Sequence, residues 1–276
     1  MDNSATATTP RTAARWQARW YLWDGGFLAM GSSDGVVPPH SHHAIQVTAG
    51  MDGMVGMKAD GHEGGTWQGV MVAPDVEHQL EMRGTYVALL FIDPESREGR
   101  WLRRSLDGPL TEIPAAKLEP YLATLSAIRD EPMEAVETAH AIHAAVRGLC
   151  SGPPPSQKLD PRVMRALEVI RSMDTRKISL EEVAGSVFLS PSRFAHIFSD
   201  TVGLPFRRYV LWRRLTRALS AVGRGHTLTA AAHSCGFSDS AHLTRSCTQM
   251  FGQPPSIMLE PGEFYEIPAP FELGTG

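Results

Sequence analysis

The sequence predicts a two-domain α+β protein, with an all-β N-terminal domain, a helical hairpin and an all-α C-terminal domain. Three observations support this fold class. Short apolar runs separated by glycine-bearing turns fill the first hundred residues. Apolar residues at helical spacing begin near Ala115, and one two-helix pattern occurs twice between residues 179 and 255. With 276 residues, each half is long enough to bury its own core.

The N-terminal third has the pattern of a β domain. Residues 1–14 are rich in Thr, Ala and Ser and are expected to form a flexible leader. Beyond them, short runs at 44–48, 69–73 and 86–92 predict strands, and their regular spacing indicates a closed or sandwich-like domain over residues 15–112. The side chains expected to line its interior are Trp23, Phe27, Ile45, Val47, Met57, Trp67, Met71 and Leu90.

Three histidines and a glutamine mark the candidate ligand site of this domain. The segments that hold His40, His42, Gln46 and His78 resemble the two motifs of the cupin barrel, so a cupin-like β-barrel is expected. In metal-binding cupins this set converges on a divalent metal, but Gln46 stands where the family has an acid. We therefore expect no metal and no other cofactor. The resemblance implies a small-molecule effector pocket near these four residues and Trp67, whereas His43 and His62 are expected at the surface.

Two helices are predicted over residues 113–150. Leu118, Leu122 and Leu125 form one apolar stripe, and a second stripe runs from Met133 to Leu149. The stripes fit either packing against the β domain or pairing with a second subunit. A Ser-, Gly- and Pro-rich linker follows at 151–159, because consecutive prolines cannot continue a helix.

The doubled pattern is the most informative part of the chain. Ser179 and Thr227 are N-cap types 48 residues apart, and each precedes a short helix with a small residue at its crossing point. A second helix follows, capped by Ser190 with Pro191 in one copy and by Asp239 in the other. Ordinary helical bundles also contain such pairs, but two copies joined by one helix favour a helix-turn-helix, whose second helix can enter a DNA major groove.

The charge of the chain divides at the linker. Residues 1–157 contain 12 Lys and Arg against 19 Asp and Glu, whereas residues 158–260 contain 14 against 8. The basic segment therefore coincides with the doubled pattern, as binding to a phosphate backbone requires.

The C-terminal hundred residues resemble the AraC/XylS family of transcription regulators. The resemblance rests on Leu189-Ser-Pro-Ser-Arg-Phe194, Phe206-Arg-Arg-Tyr209, Gly236-Phe-Ser-Asp239 and Gly252-Gln-Pro-Pro255; Cys247 and Met258-Leu259 depart from it. It implies a sequence-specific DNA-binding regulator with domain boundaries 160–260, responsive to a small-molecule effector. It also favours a homodimer that activates through RNA polymerase.

Candidate DNA contacts lie on the outer faces of the second helices. The residues expected to read bases are Ser192, Arg193, Ala195, His196, Ala241, His242, Thr244 and Arg245. The candidates for phosphate contacts on the joining helix are Arg207, Arg208, Arg213 and Arg217. That helix spans about 27 Å at about 1.5 Å per residue, so it can hold the reading helices near the roughly 34 Å of one DNA turn, for successive major grooves.

The cysteines and the lengths of the apolar runs limit the classes of protein to which the chain can belong. Cys150, Cys235 and Cys247 lack metal-ligand spacing and suit a reducing cytoplasm. No apolar run has the length of a membrane span, and no catalytic set appears, so an enzyme is not expected. Two alternatives stay open: a metal-dependent cupin enzyme or metal sensor with a fused DNA-binding domain, and a nucleoid-type DNA binder without an effector. Residues 261–276 are expected to form a flexible tail.

Overall fold

A computed structural model describes residues 17–23, 26–131, 133–155, 159–259 and 262–268. Its strands are β1 (Gln17–Trp23), β2 (Gly26–Ser32), β3 (Val36–His40), β4 (Ile45–Gly50), β5 (Val55–Ala59), β6 (His62–Trp67), β7 (Gly69–Val72), β8 (His78–Glu81), β9 (Tyr86–Ile92), β10 (Leu110–Glu112) and β11 (Gly262–Glu266). Its helices are α1 (Arg97–Arg103), α2 (Ala115–Asp130), α3 (Ala135–Leu149), α4 (Pro161–Ser172), α5 (Leu180–Ser186), α6 (Pro191–Val202), α7 (Phe206–Gly223), α8 (Leu228–Ser234), α9 (Ser240–Phe251) and α10 (Pro255–Met258). None of these helices has the length and apolar character needed to cross a bilayer.

The predicted α+β fold class is confirmed, and the strands form two sheets. The larger sheet has the order β10-β7-β4-β9-β2-β1-β11, and the smaller has the order β3-β8-β5-β6. Pairing is antiparallel throughout the described strands except between β1 and β11. Side chains from both sheets, including Phe27, Val37, Met57 and Leu80, meet in one core between them, which we call the inter-sheet core.

The prediction of which side chains face the inter-sheet core was wrong for most of the larger sheet. Phe27 and Met57 lie in that core, and Trp67 is partly buried against it. The others lie on the opposite face of the sheet: Trp23, Ile45, Val47, Met71 and Leu90. Successive side chains of a strand alternate between faces. Both faces of this sheet are apolar and buried. The alternation of side chains along the sequence therefore could not show which residues face the inter-sheet core.

The opposite face of the larger sheet is covered by α2 and α3. Tyr121, Leu125, Ile142 and Val146 are buried in the same cluster as the outward residues of the sheet. The predicted apolar stripes of α2 and α3 are therefore buried against the larger sheet of the same chain. Homodimerisation stays a prediction.

The helix boundaries of the doubled pattern are those the caps predicted. Ser179, Ser190, Thr227 and Asp239 each accept a hydrogen bond from a backbone N–H of the helix they begin. The two copies differ in their packing. The core of α4, α5 and α6 is a separate cluster, whereas the core of α8 and α9 is continuous with the inter-sheet core. The second helix-turn-helix is thus built onto the β domain.

The expected flexible tail contains a strand. Gly262–Glu266 forms β11, which pairs in parallel with β1 and completes the edge of the larger sheet. The Phe264 ring stacks on Trp20 at 6.3 Å between centroids, and Tyr265 stacks on Tyr21 at 5.2 Å. This short segment has little periodicity of its own, and its order comes from a partner about 240 residues away in sequence. The predicted leader and the end of the tail lie outside the described residues.

Candidate DNA-binding surface and histidine cluster

The first candidate reading helix, α6, presents a polar outer face. Its N-cap Ser190 and first-turn Pro191 fix the start of the helix, while Phe194 and Phe198 bury the inner face. Among the predicted base-reading residues, Ser192, Arg193 and His196 are exposed and Ala195 is half-buried. The His196 imidazole lies 3.4 Å from the Asp200 carboxylate, an exposed pair whose carboxylate competes with DNA for that ring.

The second reading helix, α9, is organised in the same way. Ala241 and Arg245 are exposed, and His242 and Thr244 are half-buried. His242 is held by its surroundings, because its Nδ1 lies 3.2 Å from Ser238 Oγ and its ring meets Phe237 edge-on. Arg245 is the long cationic side chain of this face.

The four arginines predicted to contact phosphates have different environments. Arg207 is exposed, and Arg208 is exposed but donates to Asp75 of the β domain at 3.1 Å. Arg217 donates to the carbonyl oxygens of Met173 and Arg171 at the end of α4. Arg213 is fully buried, and its guanidinium lies 3.7 Å from Asp93. The phosphate role is therefore wrong for Arg213 and displaced by a structural one for Arg217. Arg213 lies on the side of α7 that faces the β domain, whereas Arg207 and Arg208 lie near the exposed start of the helix.

A buried polar network joins α7 to the β domain. Trp212 donates to Asp93 at 2.7 Å, beside the pairing of Arg213 with the same carboxylate. Next to it, the His43 ring contacts Glu95 at 3.1 Å and Asp75 at 3.5 Å. Apart from Asp75, these side chains are buried, so the network fixes α7 against the β domain with groups that have little access to water.

The pKa shifts in this network show how its charges depend on one another. Burial alone lowers the pKa of His43, but its bonds to Asp75 and Glu95 raise that pKa to about 9. Burial, followed by the charge of Glu95, raises the pKa of Asp93, against the opposing effect of Arg213. Burial likewise opposes ionisation of Glu95, but contact with His43 leaves its pKa lowered. His43 and Glu95 thus form the ionised pair near neutral pH. The expectation that His43 lies at the surface was wrong.

The three predicted histidines converge on Gln46. His40, His42 and His78 are buried, and their nearest ligand atoms all lie within 4.8 Å of one another. Gln46 Oε1 lies 2.9 Å from His42 Nε2 and 3.1 Å from His78 Nε2, while its amide nitrogen donates to Thr48 Oγ1 at 2.8 Å. Burial lowers the pKa of all three rings, to about 3 for His40, so they are neutral at physiological pH. Trp67 is not part of this cluster, since it lies on the smaller sheet against His62.

A small cavity lies between the histidine cluster and the C-terminal half. Its volume is about 40 Å³, and its walls include His40, Gln46 and Phe91 from the β domain and Phe251, Gln253 and Met258 from the C-terminal half. The Gln253 amide nitrogen is buried and has no hydrogen-bond partner among the described residues. Gln253 follows Gly252, the left-handed residue that ends α9. The cavity therefore joins the histidine cluster to the end of a reading helix.

Residues 183–260 match the family model described as a helix-turn-helix domain. These residues form an AraC-type helix-turn-helix domain. Among curated proteins, none matches the sequence.

The AraC-type domain and the β domain together have the fold of ToxT from Vibrio cholerae. A 1.65 Å ToxT structure superposes with a TM-score of 0.53 at 11% identity, covering 88% of this chain and 97% of ToxT. A ToxT structure with bound unsaturated fatty acid gives 0.51 at 12% identity, covering 90% and 96%. An AraC-type regulator from Chromobacterium violaceum is 21% identical over 37% of this chain and 96% of its own, with a TM-score of 0.34.

Sequence reasoning missed the contacts between the AraC-type domain and the β domain. Asp93 and Glu95 directly follow the apolar strand β9, so acids at a strand end were a local signal of a polar site. Trp212 and Arg213 lie on the inner side of α7, next to Tyr209. Nothing in the local sequence shows that these two groups of residues meet, since 119 residues separate Asp93 from Trp212.

Proposed function

We propose that this chain is a sequence-specific transcription regulator that binds double-stranded DNA through the outer faces of α6 and α9. The observation that carries the proposal is the pairing of exposed polar faces with buried apolar faces on both helices of an AraC-type domain. We place its action on DNA in the cytoplasm. The reading helices are proposed to enter successive major grooves, as expected for two such motifs joined by one helix.

Base recognition is proposed to rest chiefly on three side chains. Arg193 and Arg245 are exposed cations that can grip guanine O6 and N7, and Thr244 offers both a hydroxyl and a methyl group. The small side chains Ala195 and Ala241 suit contact with a thymine methyl. Since long polar side chains are few on both faces, part of the specificity would come from DNA shape.

A small-molecule effector is proposed to act at the cavity between the two halves. This position supports the proposal because a ligand there touches both the β domain and the segment that ends α9. A fatty acid is bound by ToxT in one of its structures. A cavity of about 40 Å³ holds one or two waters and not a fatty acid, so the effector of this chain would be much smaller.

The same cavity argues against the enzymatic alternative. A metal-dependent cupin enzyme needs space for a substrate beside its metal ligands, and the cavity beside His40 and Gln46 has room for a few atoms. We therefore favour a sensing role for the histidine cluster. Activation through RNA polymerase and homodimerisation are further parts of the proposal, to be tested by transcription in vitro and by sedimentation of the purified chain.

Selection of DNA from a randomised duplex library tests the proposed function. The wild-type chain is expected to enrich one motif, and Arg245→Ala is expected to weaken binding by about 1–3 kcal/mol while relaxing preference at one base pair. Arg83→Ala, an exposed arginine of the β domain, is the matched control and should leave the motif and affinity unchanged. Equal loss on every sequence would contradict base reading by Arg245. Equal affinity of the wild-type chain for all sequences would instead favour a nucleoid-type binder.

A further inference from the structure

We propose that a cleft between α1, the linker before α4 and the end of α6 binds a small polyanion through Arg100, Arg103 and Arg104. We call it the arginine cleft. Its volume is about 550 Å³, which lies in the range of ordinary small-molecule sites. The ligand class is a compact molecule with several phosphate or carboxylate oxygens. Binding itself does not rest on the proposed function, whereas its effect on DNA binding does.

The walls of the arginine cleft come from both halves of the chain. Among the described residues, α1 supplies the three arginines, the linker supplies Pro155, and the last turn of α6 supplies Thr201 and Val202. A ligand in this cleft would therefore contact the β domain and the first helix-turn-helix at the same time.

The linker wall of the cleft is held against α1. The Trp101 indole nitrogen donates to the carbonyl oxygens of Ser151 and Gly152 at 3.2 and 3.0 Å. Arg104 Nη1 donates to the carbonyl oxygen of Pro153 at 3.1 Å. These bonds place the linker beside α1 before any ligand arrives, which lowers the conformational cost of binding.

The donors of the three arginines are only partly used. Arg103 is exposed and makes no hydrogen bond or ion pair with any residue that the structure describes. Arg100 and Arg104 each donate through Nη1 to a carbonyl oxygen, that of Glu95 at 2.7 Å and that of Pro153 at 3.1 Å. A guanidinium has five donors in a planar fork that matches carboxylate and phosphate oxygens. Arg100 is half-buried and burial lowers its pKa, so an anion beside it would stabilise its charged form.

The acids that line the arginine cleft have partners of their own. The three pairs are Glu95 with His43 at 3.1 Å, Asp160 with Arg162 at 2.6 Å and Asp200 with His196 at 3.4 Å. Since these carboxylates contact other side chains, the three arginines of α1 are the groups in the cleft best able to balance the charge of a bound anion.

A second cleft, beside β11 and α8, shows the contrast. Its volume is about 440 Å³, and its walls also include two arginines. Arg224 pairs with Glu266 at 2.6 Å, and Arg217 donates to the carbonyl oxygens of Met173 and Arg171. Because Arg224 already has a carboxylate partner, it is a suitable control residue for the arginine cleft.

The position of the arginine cleft favours a small ligand over DNA. A reading helix contacts base edges with its first turns, whereas Thr201 lies about 12 Å further along α6 than Arg193, at about 1.5 Å per residue. Arg103 Nη1 is 3.7 Å from the position that a Cβ atom at Gly203, the left-handed residue ending α6, would take. An anion held by Arg103 would therefore touch the end of α6 opposite to its base-reading turns.

Calorimetric titration of the full chain with inorganic tripolyphosphate and with citrate tests the site. At physiological ionic strength, at least one of them is expected to bind at one anion per chain with a Kd of roughly 100 µM or below. The anion that binds more tightly identifies phosphate or carboxylate as the preferred group. Arg103→Ala should weaken this binding by roughly tenfold or more, and Arg103→Lys, which keeps the charge without the fork, should weaken it less.

Arg224→Ala removes the same charge from the second cleft and should bind the anion as the wild type does. Circular dichroism of each variant checks that it is folded, which is expected for Arg103 because its side chain is exposed. Absence of binding of both anions up to about 1 mM would overturn the site. Equal weakening by Arg103→Ala and Arg224→Ala would also overturn it, because it would reduce the binding to an effect of net charge.

DNA binding with and without the anion tests the coupling separately. At matched ionic strength, the anion is expected to change the affinity of the wild-type chain for its selected DNA severalfold, and Arg103→Ala should lose most of this response. Equal responses in the two proteins would overturn the coupling, since they would reflect competition between anion and DNA. Weaker DNA binding by Arg103→Ala without any anion, as large as that of Arg245→Ala, would assign Arg103 to DNA phosphates instead. Failure to bind DNA selectively in either state would contradict the proposed function and leave the anion site standing.

Discussion

The indole nitrogen of Trp212 donates a 2.7 Å hydrogen bond to Asp93, and this contact joins the helix between the two reading motifs to the end of a β-domain strand. Arg213, the next residue, pairs with the same carboxylate. Both α7 residues are fully buried. The orientation of α7, and with it the placement of the two reading helices, is therefore tied to the β domain.

Removal of the Asp93 carboxylate should destabilise the joined structure. Asp93→Ala leaves the buried Trp212 and Arg213 without this acceptor, so we expect the free energy of unfolding in urea to fall by about 3–5 kcal/mol. Asp107→Ala removes an exposed acid and is the control, with an expected change within about 0.5 kcal/mol. A small effect of Asp93→Ala would show that α7 is held by apolar packing alone.

Stability should decrease on the alkaline side of neutrality because of His43. Its pKa is raised from 6.5 to about 9 in the folded chain, so the folded state keeps a proton that the unfolded state has already lost. Stability from this group is complete below pH 6.5 and is lost as the pH rises to about 9, on the order of 3 kcal/mol. Burial also raises the pKa of Asp93 from 3.8 to about 7, so this carboxyl lowers the stability as the pH rises to about 7.

Urea unfolding between about pH 7.5 and 9, above the pKa of Asp93, measures this effect of His43. The wild-type free energy of unfolding is expected to decline across the range, whereas His43→Gln should be lower at neutral pH and nearly flat. Parallel declines in the two proteins would assign the pH dependence to another group.

The turn of the first helix-turn-helix carries a strained residue. Phe188 has a left-handed φ of 57° and is 97% exposed, and the equivalent position in the second copy is Gly236, with φ 84°. Phe188→Gly removes the cost of this conformation, about 1–2 kcal/mol, but adds about 0.5–1 kcal/mol of glycine entropy in the unfolded chain. A net stabilisation of up to about 1.5 kcal/mol is expected by thermal unfolding. Phe188→Ala keeps the Cβ and should gain nothing, and equal effects of both variants would argue against backbone strain.

The C-terminal strand should contribute to stability through Phe264. Its ring stacks on Trp20 and lies close to Gly223 at the end of α7, where an added Cβ would approach it to 2.7 Å. Phe264→Ala is expected to lower the free energy of unfolding by about 1–3 kcal/mol. Met54→Ala, which truncates an exposed apolar side chain, should change it by less than about 0.5 kcal/mol. Identical stability of the two variants would mean that the Phe264 ring adds nothing to the stability of the fold.

The sequence by itself determined the elements whose causes are local. The caps Ser179, Ser190, Thr227 and Asp239 begin helices where the sequence predicted them, because a cap side chain bonds to a backbone N–H two or three residues away. The helix faces followed as well, since a period of 3.6 separates one apolar side from one polar side on α6 and α9.

Only the tertiary structure decided features that depend on distant partners. The larger sheet is apolar on both faces, so sequence alternation could not tell that Gln46 points to the histidine cluster while Ile45 and Val47 point to α2 and α3. Arg213 is a cationic helix residue like its neighbours until Asp93 is placed beside it. β11 likewise forms because β1 offers an unpaired edge. In each case the energy comes from contacts between residues far apart in sequence, which no local pattern records.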